Sequence, residues 1–194
     1  MINPDLILHS DNFTLRPLNI RDVDALYKLT GDFEMWTYFT SDLSDFNVLT
    51  EWVKDAIEEA RQNKKVAFVS LDKKTGSVFG STSFGNISIR DKRIEIGWTW
   101  ISKEYQGKGA NREIKTAMLE YCFENLNFER VEFKTDVLNL PARKALLKLG
   151  AIEEGILRSH TLMTHGRRRD TIYYSVLKKE WPLVKARLLA MQDK

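Results

Sequence analysis

The chain has 194 residues, 43% of them hydrophobic, and 30 basic against 27 acidic residues leave a formal net charge of +3. That length predicts one domain over 1–194 with a core of its own. The charges are interspersed, and the nearest basic cluster, Arg167-Arg168-Arg169, is followed at once by Asp170 and reads as a hairpin tip. A nucleic-acid partner is therefore not expected. The lone Cys122 excludes an intramolecular disulfide and reads as a small buried hydrophobe. No stretch has the length of a membrane span or the pattern of a signal peptide, so the expected location is the cytoplasm, with no membrane partner. His9, His160 and His165 lack ligand spacing, and no metal is expected.

In chain order, residues 21–31 read as a helix closed by Gly31. Residues 47–62 read as a second, because Leu49, Trp52, Val53, Ala56, Ile57 and Ala60 fall on one face. Strands are expected over 66–71 and 78–84, joined through Gly76 as a hairpin. In the next strand, 94–101, alternation puts Ile94, Ile96, Trp98 and Trp100 on one face and Glu95, Gly97 and Thr99 on the other. A glycine loop then leads to a helix with the stripe Ile114, Ala117, Met118, Tyr121 and Cys122. Strand, helix, a hairpin turning at His165-Gly166 and a last helix with Pro182 in its first turn complete the order. A mixed, mostly antiparallel sheet with helices on both faces follows.

The loop Gln106-Gly107-Lys108-Gly109-Ala110-Asn111 follows a strand and opens a helix, which turns free backbone N–H groups and the positive helix end toward an anion. A Walker loop would need Ser or Thr after Gly-Lys, where Gly109 stands. The dinucleotide fingerprint would need its third glycine at Arg112. What remains is Gln-x-x-Gly-x-(Gly/Ala), read as Gln106, Gly109 and Asn111, which resembles the pyrophosphate loop of the GNAT N-acetyltransferase superfamily.

A second motif agrees. The stretch 131–136, then Asn139, then Ala142-Arg143-Lys144-Ala145-Leu146-Leu147-Lys148-Leu149-Gly150-Ala151 resembles the opposite wall of that superfamily's cofactor cleft. Phe13-Thr14-Leu15-Arg16-Pro17-Leu18, Glu154-Gly155-Ile156-Leu157-Arg158 and Tyr173-Tyr174-Ser175-Val176 look most like the RimJ/RimL branch of ribosomal-protein N-terminal acetyltransferases.

The resemblance implies a GNAT-like fold and an acetyl-CoA-dependent N-acetyltransferase that needs no metal. It implies cofactor contacts from Trp100, Ile101, Ser102, Gln106, Gly107, Lys108, Gly109, Ala110, Asn111, Asn139 and Arg143, with an oxyanion donor among the N–H groups of 100–102. It makes Glu95 the general base, since an attacking amine must be neutral and α-amino groups titrate at about 7.7 to 8.0, lysines at about 10.4. Many members carry a tyrosine seven residues after the asparagine; this chain has Leu146 there, so the thiolate leaves unprotonated or another group serves as acid. Asn111 departs from the usual glycine or alanine.

The acceptor side is expected to involve Trp36 and Tyr38, between the first two helices, and His160, Asp170 and Tyr173 on the last hairpin. The branch resembled points to a protein or peptide α-amino group. A small amine such as an antibiotic or polyamine is the alternative, and an acyl-CoA sensor without chemistry is the non-enzymatic one. A homodimer is an assembly that the resemblance allows.

Overall fold

The computed structural model describes residues 2–164 and 166–191, so His165 at the expected hairpin tip lies outside the described residues. The strands are β1 (Leu8–His9), β2 (Phe13–Pro17), β3 (Val66–Asp72), β4 (Val78–Ser88), β5 (Arg93–Ile101), β6 (Arg130–Asp136), β7 (Ile152–Leu162) and β8 (Arg168–Leu177). They form one sheet in the order β1-β2-β3-β4-β5-β6-β8-β7. Every neighbouring pair is antiparallel except β5 and β6. The helices are α1 (Val23–Thr30), α2 (Phe46–Arg61), α3 (Ala110–Glu120), α4 (Leu140–Leu149) and α5 (Trp181–Ala190). The mixed sheet with helices on both faces is the architecture expected from the sequence.

Local chemistry sets the helix starts. Asn19 and Asp22 form a capping box around a short 3-10 turn, Ile20–Asp22, so α1 begins two residues later than the apolar pattern indicates. Asp45 accepts from the N–H groups of Asn47 and Val48 and starts α2, whose Leu49, Val53 and Ala56 are buried as the stripe requires. β4 runs four residues past its expected end, because Gly85 pairs with Glu95 and, beyond an irregularity at 86–87, Ser88 pairs with Arg93. A Cβ at Gly85 would lie 2.5 Å from the Trp98 ring, so glycine is needed there.

Two apolar layers flank the sheet. Leu26, Leu49, Val53 and Trp36 pack with Val69 and Trp100 on the α1/α2 face. Ile114, Met118, Trp181 and Leu188 pack with Phe84, Ile94, Phe133 and Ile172 on the other.

The strict alternation expected in β5 fails. Between the pairs Ser83↔Gly97 and Ser81↔Trp100, three steps of β5 oppose two of β4, and Trp98 takes φ 50°. This is a β-bulge, and one extra residue moves every later side chain to the opposite face. Ile94, Ile96 and Ile101 therefore pack on the α3 side, whereas Trp100 packs on Trp36, with ring centroids 5.8 Å apart. Trp98 joins neither core cluster; Lys65 Nζ lies 5.3 Å from its ring.

The parallel β5/β6 ladder has three pairs, Arg93↔Arg130, Ile94↔Val131 and Glu95↔Glu132. Beyond Glu95 and Glu132 the two strands continue, each paired with its other neighbour but no longer with one another, which opens a cleft in the sheet. The glycine loop follows the far end of β5, and α4 follows the far end of β6.

Candidate active site

Glu95 stands at the last rung before the strands part and is 5% exposed. Its Oε2 accepts from Asn86 Nδ2 at 2.6 Å and lies 2.6 Å from Lys134 Nζ on β6. Burial alone would lower the Lys134 ammonium. The hydrogen bond and charge of Glu95, with a smaller contribution from Tyr173, outweigh that and hold it above its ordinary value. Lys134 Nζ also lies 5.0 Å from the Tyr173 ring centroid. A cavity of about 560 Å³ beside this pair is lined by Asn86, Ile87, Arg93, Glu132, Lys134 and Tyr173. The base expected from the sequence is thus a buried, ion-paired carboxylate rather than a solvated one. Lys134 escaped the sequence reading, although alternation in Val131-Glu132-Phe133-Lys134 would have put it on the face of Glu132.

The loop is shaped for an anion. Gly107 and Gly109 take φ 75° and 86°, and Gly109 O accepts the Glu113 N–H that begins α3. Gln106 Nε2 donates to Ile101 O at 2.8 Å and ties the loop back to β5. A Cβ at Gly107 would meet open space, and one at Gly109 would lie 3.3 Å from Arg112 Nη2. Arg112 Nε and Asn111 Oδ1 are buried without a hydrogen-bond partner. A guanidinium with an unsatisfied donor beside the open loop suits a phosphate oxygen, so these residues fit the CoA pyrophosphate. Arg112, which spoils a dinucleotide fingerprint, adds a cation here that the motif gave no reason to expect. Glu113 carries the opposite charge, but its carboxylate is taken up by Ser10 Oγ, Asn12 N and Asn12 Nδ2 at 3.0–3.1 Å. Ala110 is buried in the core, and Lys108 lines a separate cavity with Lys73 and Lys74.

Backbone donors are distributed more narrowly than expected. The Ser102 N–H donates to Phe79 O at 2.8 Å and is spent in the sheet. Successive N–H groups of an antiparallel strand alternate sides, so the N–H of Ile101 is turned away from β4, toward the cleft. Trp100 presents no side-chain donor to solvent; its Nε1 is buried and unpartnered.

On the opposite wall, Asn139 Oδ1 accepts from Ala142 N at 3.1 Å and caps α4. Arg143 donates to Tyr174 Oη at 3.2 Å and Val137 O at 3.0 Å, binding α4 to β8. Leu146 is partly buried against the core. Of the acceptor candidates, the structure joins Tyr173 to the Glu95 site through Lys134, and His160 to Tyr173 by an edge contact at 6.0 Å. Asp170 Oδ1 accepts from Ser159 N at 2.7 Å. Trp36 is 4% exposed and donates from Nε1 to Thr30 O, so its indole lies in the core rather than along a groove. Tyr38 is partly buried on the segment that follows.

Comparison with known proteins agrees with this geometry. Residues 12–152 match the acetyltransferase (GNAT) domain family. The chain is 30% identical over 178 residues to the uncharacterized N-acetyltransferase p20 of Bacillus licheniformis, covering 90% of this chain and 97% of that one. It is 29% identical over 181 residues to the protein named "Putative ribosomal N-acetyltransferase YdaF" in Bacillus subtilis, covering 89% and 94%. The crystal structure of a GCN5-related N-acetyltransferase from Brucella melitensis superposes with a TM-score of 0.89 at 27% identity, covering 96% of this chain and 85% of that one. The chain therefore belongs to the GNAT acetyltransferase family and is an acetyl-CoA-dependent N-acetyltransferase.

Proposed function

We propose that this enzyme acetylates the α-amino group of a protein or peptide in the cytoplasm, with Glu95 as general base. The observation that carries the reading is the buried Glu95 at the point where β5 and β6 separate, beside a polar cavity of about 560 Å³ that is open to solvent. Similarity to the ribosomal relative of B. subtilis supports a protein acceptor.

Gln106, Gly107, Gly109 and Arg112 would hold the pyrophosphate of acetyl-CoA, and the N–H of Ile101 would point at its acyl arm. When bound, acetyl-CoA supplies a thioester carbonyl open to attack by an amine. Glu95 accepts the proton of the incoming ammonium, directly or through a water, so that the amine is neutral when it attacks. Lys134 and Asn86 keep the carboxylate oriented toward the cleft and limit its rotamers. The Ile101 N–H is the donor available to an oxyanion there.

Release of free CoA, followed with a panel of peptides, tests the reading. Peptides with a free α-amine should be acetylated, and the same peptides blocked at the N-terminus but carrying lysine should not. Turnover confined to small amines would overturn it.

A further inference from the structure

The strand face that carries Glu95 also carries Glu132, Lys134 and Asp136 on β6 and Arg169, Thr171, Tyr173 and Ser175 on β8, because Val131, Phe133, Ile172, Tyr174 and Val176 occupy the opposite, core-facing side. Nearly every charge on this face has a partner. Glu95 is held by Lys134 at 2.6 Å, and Glu132 by Arg130 at 2.9 Å and Arg93 at 3.5 Å. Glu154 is bound by Arg130 and by Ser175 at 2.8 Å. The fully buried Asp136 is taken up by Arg167 and by the Leu138 N–H at 3.0 Å.

Arg169 is the exception. It is partly buried, its Nε donates to Thr171 Oγ1 at 3.0 Å, and among the described residues it forms no ion pair. Thr171 is itself fixed by His160 Nδ1 at 3.1 Å, so the guanidinium is oriented while its two terminal nitrogens have no hydrogen-bond partner among the described residues. Burial, and to a lesser degree the like charge of Arg167, act against its charge, and the nearby Asp136 and Glu95 only partly offset this. A guanidinium does not shed its proton, so the cost stands until an anion arrives. Its free fork has the geometry for bidentate binding of a carboxylate.

We infer that Arg169 binds a carboxylate of the acceptor, and that the substrate class is an amine with a carboxylate close to it. Such an acceptor places its anion on Arg169 and its amine toward Glu95. A polycation meets instead a positive charge without an ion-pair partner among the described residues. The inference rests on the assignment of Glu95 as the reacting centre. Its carboxylate has two sources, an acidic residue near a protein N-terminus or the α-carboxylate of a free amino acid.

The test is steady-state kinetics with acetyl-CoA and matched peptides bearing glutamate, glutamine or lysine at the second position, together with free glutamate and spermidine. The glutamate peptide should have a KM about tenfold below that of the glutamine peptide, the order expected of one charge-assisted contact. Arg169→Gln should erase that difference, leaving the neutral peptide and the thermal shift with acetyl-CoA unchanged. Arg169→Glu should turn the preference toward the lysine peptide. Turnover of free amino acids without peptides would discard the protein acceptor while supporting Arg169. Peptide turnover indifferent to charge, or an Arg169→Gln loss equal for all acceptors, would overturn the inference and leave the peptide reading in place.

Discussion

Lys134 Nζ, two residues past the last rung of the β5/β6 ladder, lies 2.6 Å from Glu95 Oε2, so this carboxylate is fastened to the strand on the far side of the cleft. Glu95→Gln keeps the shape and the contact with Asn86 but removes the proton acceptor. The rate should fall roughly 10²- to 10⁴-fold with acetyl-CoA affinity retained, as read by turnover and calorimetry on the same preparation. An unchanged rate across the pH range would make Glu95 a purely structural carboxylate.

The loop is tested at Gly109. Its φ of 86° strains any side chain, and a Cβ would crowd Arg112 Nη2 at 3.3 Å. Gly109→Val should remove the rise in melting temperature that acetyl-CoA produces, since a ligand that binds only the folded state stabilises it by mass action. Arg112→Gln should weaken acetyl-CoA about tenfold, or about 1.4 kcal/mol. Wild-type affinity in the Arg112 variant would remove that side chain from the phosphate site.

Lys115 gives a pH prediction. It is 4% exposed on α3, and its Nζ donates to Thr82 Oγ1 at 2.9 Å and Thr99 Oγ1 at 2.5 Å. Burial brings it down to about 7 from its ordinary 10.5. Above pH 7 the unfolded chain binds a proton here that the folded chain does not, so stability rises with pH until the unfolded lysine also titrates. The slope approaches about 1.4 kcal/mol per pH unit. Lys115→Met should flatten the rise between pH 7 and 10 in urea unfolding. A parallel curve in wild type and variant would contradict the assignment.

Leu146 tests the leaving-group side. If CoA departs as thiolate, Leu146→Tyr should scarcely change the rate; if departure limits turnover, a hydroxyl that reaches the sulfur should raise it. Because Leu146 packs partly against the core, the added bulk should cost about 1 to 3 kcal/mol, measured by thermal melts alongside turnover. A rate gain without destabilisation would place the side chain in the cleft.

The parts legible in the sequence are those written in local signals. Gln106 to Asn111 announces itself by two glycines between a strand and a helix, and Leu49, Val53 and Ala56 by their spacing. Glu95 stood out only because it begins the strand that feeds the loop. The partner Lys134, 39 positions later in the chain, is set by the register of β6 against β5, which no local pattern encodes. The bulge at Trp98 is equally hidden, since tryptophan gives no sign of a positive φ, and without it alternation puts Trp100 on the face of Ile94 and Ile96. Lys115 reads as an ordinary polar residue of an amphipathic helix, and only the two threonine hydroxyls brought beneath it explain its burial. Arg169 looked like one charge in a basic hairpin tip until its neighbours proved to be matched and it did not.

The short β5/β6 ladder has a mechanical consequence. Three pairs of residues are all that join the five strands β1 to β5 to the three strands β6, β8 and β7 by parallel pairing, and beyond them the sheet is split like a partly opened zip. Whatever lies in the split supplies the missing rungs. An acyl arm that hydrogen-bonds to the unpaired edge of β5 would act as a splint between the halves, so amide exchange along 133–136 should slow when acetyl-CoA is present and quicken again as product leaves.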